Sequence, residues 1–345
     1  MDVLRDVYTV ENLNDSGKGS LRDALEPTSG HREIRFAVGG TSWIDDPIVI
    51  SNSGVDILAD TAPGKGFCLA GSYMQIKTHN VAVQGLRCRP EPGAYKYGLL
   101  ISNPAHGITI DRSSFSFSSQ INLDIYNAYD VLVQRCIIAD STNYRYGSLS
   151  AYGSNNVRFI NNLFYGNAQR NPLITCGRQL VKNNVICISG DIGTQLKSQD
   201  GEIRADYIGN YFRQPSATYV KNIISREGLN DPSIYVHSTG NVYEQFPDVT
   251  QGGMFRVVYE PDFGEYKNGE ISRLNYGRNL TAQQAFDYVL ANAGARPLDT
   301  LDAAIIADVT AGGSGRLIDD PSEVGGWPEL SEDGLTAIGK KYALL

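Results

Sequence analysis

The sequence predicts an all-β fold, a right-handed parallel β-helix in which short strands stack coil upon coil. Three observations carry that expectation. β-Rich runs start at Val55, Val81, Ile108, Val131, Val157, Leu180 and Ile203, at intervals of 26, 27, 23, 26, 23 and 23 residues. A period in the twenties, built from strands and turns without intervening helices, marks a stacked solenoid. Within each run apolar and polar residues alternate, as in a half-buried strand. Asn162, Asn184 and Asn210 recur 22 and then 26 residues apart, so that their amides can hydrogen-bond from one coil to the next. Leucine-rich repeats share the period, but their leucine framework is missing here and β-branched residues dominate.

The elements follow in order. In "GSLRDALEP", Ser20 can cap a short helix with Asp23 three residues on, and Pro27 stops it. A helix at that place would cover the strand edges at the open end of the stack. The central coils then run to about residue 250. Near the C-terminus, "LTAQQAFDYVLANAG" starts with Thr281, has Gln284 at the capping-box position and ends at Gly294, which predicts a helix. A second helix is expected from Thr300 to Asp308, and both should fold back on the solenoid. The whole chain, 1–345, reads as one domain: an N-terminal cap over 1–50, central coils over 51–250 and a helical extension over 251–345.

The composition narrows the partners. The chain is 41% hydrophobic and 20% charged, and no apolar run approaches the eighteen residues of a membrane helix. No membrane partner is expected. A net charge of −8 argues against a general nucleic-acid binder, whose footprint is basic. An acidic protein that handles an acidic polymer needs a local basic strip to overcome its own mean field. The five cysteines form no CxxC pair and read as small core residues. The N-terminus "MDVLRDVYTVEN" has no apolar leader core, so a signal peptide is either absent or removed. There is no phosphate loop, HExxH or GxSxG, and the four histidines are dispersed.

Four separated segments, "NLNDSGKGSLRDAL", "ADTAPGKG", "NNLFYGNAQRNPLI" and "DAAIIADVTAGGSGRLIDDPSEVGGWPEL", occur in the right order to make the chain resemble the pectate lyases and their pectin-lyase relatives over nearly its whole length. The resemblance implies a secreted, monomeric polysaccharide lyase that cleaves a uronic-acid polymer such as polygalacturonate by β-elimination. It places Arg170 at the position of the family's base. The chemistry can be stated independently: a base takes the proton on C5, α to the carboxyl group, the C4 oxygen leaves, and charge spreads onto the carboxylate. A free guanidinium is protonated near neutral pH. Either the site depresses the pKa of Arg170 or Arg170 chiefly stabilises charge.

Departures from the family pattern concern calcium. Where calcium-dependent members carry aspartate, glycine, aspartate, this chain has Tyr97, Gly98 and Leu99, and where they carry a later aspartate and glutamate it has Gln120 and Ile121. Asp124 and Asp111 remain as candidate ligands, short of the several carboxylates calcium prefers. The usual site reads as largely lost; no cofactor is expected with assurance, and calcium stays open. Arg145 next to the cleft, together with Arg112 and Arg178 on what repeat position suggests are adjacent coils, are candidates to neutralise the substrate carboxylate instead. Tyr97, Tyr126, Tyr144 and Tyr146, with Tyr95 and Tyr152, are candidates to pack against sugar rings.

Two other readings stay open on the sequence. The chain can be a non-catalytic carbohydrate-binding or virion-associated adhesion β-helix that has kept the groove and lost the chemistry. A glycoside hydrolase on the same scaffold ranks last: it needs two carboxylates facing one bond, and the pair Asp45 and Asp46 lies near the cap.

Overall fold

The computed structural model describes residues 5–26, 30–93, 97–215, 222–227, 233–257 and 277–330. Alternating apolar residues place one side of each strand inside, and because successive coils repeat the pattern, like side chains stack into columns. The column Ile34, Ile57, Val83, Ile110, Val133, Phe159, Val181 and Tyr207 runs through the stack with each residue directly beside the next, and every member is at most 1% exposed. Burying each aliphatic side chain stabilises the fold by about 1.5–3 kcal/mol.

Among the described residues the strands form three parallel sheets. Sheet 1 has ten strands, from Arg5–Val10 to Ile234–Thr239; sheets 2 and 3 have nine each, from Gly40–Ile44 to Val242–Tyr243 and from Ile48–Ile50 to Phe255–Val257. The expected all-β parallel solenoid is therefore the observed one. Coil stacking begins before residue 51, since His31–Phe36, Gly40–Ile44 and Ile48–Ile50 already pair with the next coil.

The starts of the β-rich runs do not all share one column. Val55, Val81, Ile108, Val131 and Val157 do lie in one column, but its next members are Gln179 and Ala205. Leu180 faces outward into a small cluster with Leu132 and Ile160. A polar residue holds the interior place because its amide nitrogen donates to Ser150 Oγ at 3.0 Å and to the Cys176 carbonyl at 2.9 Å.

The asparagine ladder is present. Asn184 Oδ1 accepts from the Asn162 main-chain N–H at 2.9 Å and from its side-chain amide at 3.0 Å; Asn210 does the same for Asn184, and Asn241 for Asn210. All five cysteines are free and buried.

The helices cap and brace the stack. Ser20 accepts from the Asp23 N–H at the start of α1, Leu21–Leu25. Thr281 and Gln284 form the predicted capping box of α2, Ala282–Asn292, and Asp299 caps α3, Thr300–Thr310. Both later helices pack on sheet 2, where Ala282, Val289, Leu301 and Ile305 join Ile137, Leu163 and Val185. A fully buried quartet fastens them: Arg89 meets Asp299 at 2.6 Å and Asp302 at 2.9 Å, and Arg87 meets Asp299 at 2.9 Å. Among the described residues, α2 and α3 lie on sheet 2 and not on the outward face of sheet 3.

Candidate active site

The outward face of sheet 3 follows from what its strands bury. In strand Ile121–Tyr126, Leu123 and Ile125 belong to the interior core, so Asp124 and Tyr126 point out. Register lines Asp124 up between Leu100 and Leu149, with Leu173 beyond. Three residues earlier in the strands, Tyr97, Ile121 and Tyr146 form a second row. Ile121, Leu149, Ala151 and Leu173 pack together there with Tyr97 and Tyr146 against them. The result is an apolar floor with a single carboxylate in it.

Arg170 reaches this floor through a tight approach. It has φ +63 and precedes Asn171 and Pro172 in the turn before strand Leu173–Ile174. Its carbonyl accepts from the Ser148 N–H at 2.6 Å. A Cβ at Gly147 would lie 2.8 Å from that carbonyl and 2.3 Å from Asn171 Oδ1, so only glycine lets the arginine turn come this close. The guanidinium carbon sits 3.7 Å from the centroid of the Tyr146 ring, a cation–π contact.

Asp124 is 4% exposed and its Oδ1 has no hydrogen-bond partner. Burial raises its pKa to about 7, while the charge of Arg170 pulls in the opposite direction. Tyr97 is pushed up as well, first by burial and then by Asp124 and by the phenols of Tyr73, Tyr126 and Tyr152. These groups therefore share one electrostatic neighbourhood. Tyr73 meets Tyr97 edge-on at 5.5 Å, Tyr126 stacks on Tyr152 at 4.4 Å, and Tyr144 lies 5.8 Å from Tyr146. Tyr126, Tyr144 and Tyr152 are exposed, and aromatic edges and faces of this kind suit sugar rings.

Of the residues singled out in the sequence, the structure brings together Arg170, Asp124, Tyr97, Tyr126, Tyr144 and Tyr146, with Tyr152. It takes others elsewhere. Arg145 donates to the Ile318 carbonyl at 3.2 Å and pairs with Asp319, so its charge is committed to the C-terminal segment. Arg112 and Arg178 are not on adjacent coils: Arg112 follows strand His106–Asp111 and Arg178 lies in Gly177–Lys182, three coils further along sheet 1. Asp111, also on sheet 1, is bound by the Arg135 guanidinium, with Nε 2.8 Å from Oδ1. Tyr95 lies outside the described residues. Tyr73 was missed, although it stands 24 residues before Tyr97 and directly ahead of a sheet 3 strand, as a coil period would place it.

Calcium takes six to eight oxygens, several of them from carboxylates. In the sheet 3 strands from Ile48–Ile50 to Ile192–Lys197 the one acidic residue is Asp124. Its row neighbours are leucines, and no group of three or more His, Cys, Asp or Glu gathers among the described residues. Among the described residues of these strands, calcium would find one carboxylate, that of Asp124.

No protein-family model matches the chain. A probable pectate lyase C of Aspergillus flavus is 31% identical over 345 residues, spanning 95% of this chain and 78% of the relative. A protein of the same name from Neosartorya fischeri is 32% identical over 331 residues, 93% of this chain and 76% of the relative. Among solved structures, a Bacillus pectate lyase in complex with trigalacturonate superposes with a TM-score of 0.58 at 14% identity, covering 84% of this chain and 93% of the other. At that identity the likeness concerns the fold.

Proposed function

The chain belongs to the pectate lyase family and is a polysaccharide lyase, and from that premise we propose that it cleaves pectate by β-elimination over sheet 3, between Arg170 and Asp124. The observation that carries this reading is the meeting of those two ionisable groups on an otherwise apolar, tyrosine-walled floor. The relatives' names and the trigalacturonate in the Bacillus complex support an acidic polysaccharide as substrate.

Of the two roles open to Arg170, charge stabiliser and base, the surroundings support the first. A ring face beneath the guanidinium and a carboxyl nearby both favour its charged form. The guanidinium then pairs with the uronate carboxylate and takes up the charge that develops there. The proton acceptor in this reading is Asp124, with an unpartnered oxygen and a pKa poised near 7. The proton moves from C5 to the carboxylate, the C–H electron pair forms the C4–C5 double bond, and the C4–oxygen bond breaks, with solvent protonating the leaving oxygen. The reading routes no step through calcium. It places a monomeric enzyme outside the cell, where such polymers are met.

The test is ultraviolet absorbance of unsaturated ends formed from polygalacturonate and from methyl-esterified pectin, with and without chelator. Activity should survive chelation and vanish in Arg170→Ala. Loss of all activity with chelator would refute the metal-free mechanism. Flat traces on both polymers beside measurable oligosaccharide binding would favour a non-catalytic binding β-helix.

A further inference from the structure

A second cavity, of about 530 Å³, opens between the turn at Asp140 and the C-terminal segment, away from sheet 3. Half of its lining is polar: Asp140, Tyr165, Asp308, Ser314, Arg316 and Glu323. The other half is apolar, chiefly Pro215, Leu301, Ile305 and Val324. The polar half is closely built. The Tyr165 hydroxyl donates to Asp308 Oδ2 at 2.9 Å, and the Gly315 N–H donates to the same oxygen at 3.2 Å. Ser189 Oγ accepts from the Gly166 N–H at 2.9 Å and donates to the Ser314 carbonyl at 2.6 Å. A Cβ at Gly166 would lie 2.0 Å from Asp140 Oδ1, and one at Gly315 would lie 2.8 Å from Ser189 Oγ. Both glycines leave room for the polar groups to converge.

Two atoms in this wall have no partner: Asp140 Oδ2, on a side chain 2% exposed, and Ser314 Oγ, on one 3% exposed. Buried polar atoms are ordinarily satisfied. Beside them Asp308 adds a second carboxylate, while Arg316 stands on the exposed rim, donating to the Glu323 carbonyl. Such a wall offers acceptors and negative charge, and the facing wall offers hydrocarbon. We propose that this cavity binds a small alkylammonium ligand, a primary amine whose three N–H donors meet Asp140, Ser314 and Asp308 while its carbon chain lies on Leu301 and Ile305. A bare metal ion would address the polar wall alone and leave most of the volume unfilled. Burial raises the Asp140 pKa to about 7; Arg89 and Arg316 oppose the shift, whereas Asp302 and Asp308 add to it. A bound ammonium would hold that carboxylate ionised.

The experiment is thermal unfolding of the full chain at about pH 8 in the presence of n-butylamine, with tetramethylammonium, n-butanol and calcium chloride as comparisons. Butylammonium should raise Tm, by roughly 3 °C at 100 times its Kd, and the three comparisons should not. Asp140→Asn and Ser314→Ala should each fold, keep lyase activity and weaken the amine's Kd at least about tenfold, since each removes a charge-assisted or direct hydrogen bond. An absent butylammonium shift, an equal shift in Asp140→Asn, or a larger response to calcium would each overturn the proposal. None of these outcomes bears on the sheet 3 site, which the activity assay reads separately.

Discussion

The guanidinium carbon of Arg170 lies 3.7 Å above the ring of Tyr146, so the face that the sequence offered to a sugar is covered by the protein's own arginine. Tyr146 is thus a positioning residue for Arg170. Tyr146→Phe keeps the ring and should hold kcat within about threefold, whereas Tyr146→Leu should lower it about 5–30-fold, the worth of a cation–π contact of ~1–2 kcal/mol. Steady-state kinetics decide the matter. A rise in KM with kcat unchanged in Tyr146→Leu would mean that the ring holds sugar instead.

Asp124 sets a pH dependence with a definite sign. As the proton acceptor it must be ionised, so kcat/KM should rise with pH up to about 7 and level off above it. Asp124→Asn should lower kcat about 100-fold or more and abolish that limb. Because the charge of Arg170 lowers the Asp124 pKa, Arg170→Leu should raise it, which carboxyl-carbon NMR titration would read directly. A profile with no limb near neutrality would place the base elsewhere.

The buried quartet that fastens α3 should be costly to break. Asp302→Ala leaves Arg89 with Asp299 alone and takes the acceptor from the Ser114 hydroxyl, and should cost about 3–5 kcal/mol in chemical unfolding. The exposed pair Arg204 with Glu202 makes the contrast, since Glu202→Ala should change stability by less than about 1 kcal/mol.

The asparagine ladder carries a similar penalty. Asn184→Ala removes the acceptor for two Asn162 donors and the donor to the Phe159 carbonyl, which Asn184 reaches at 2.9 Å. With each orphaned buried group costing about 1–3 kcal/mol, urea unfolding should show a loss above about 3 kcal/mol. Asn184→Asp restores the acceptor alone and should recover part of it.

Much of the stack was legible because its signals are local. Strand alternation, the recurring asparagines and the helix N-caps at Ser20 and Thr281 each depend on residues a few positions or one coil apart, and each is found where expected. Arg170 was singled out differently, through the resemblance to the pectate lyases that the segment "NNLFYGNAQRNPLI" carries. Leu180 shows where local reading fails. It opens an apolar run, yet Gln179 takes the place in the interior column, where its amide nitrogen donates to Ser150, one coil back, and to Cys176 in the adjoining turn.

By itself, then, the sequence determined the solenoid, its period and its helical braces, since a repeat dictates which side chains share a column, while the family resemblance pointed to Arg170. Only the tertiary structure decided which other charges reach that arginine. Arg145 turns to Asp319, 174 positions later, and Arg112 and Arg178 fall three coils apart on another sheet. Those outcomes depend on how the C-terminal segment returns over the coils and on which sheet each turn adjoins, and no spacing between neighbouring residues encodes either.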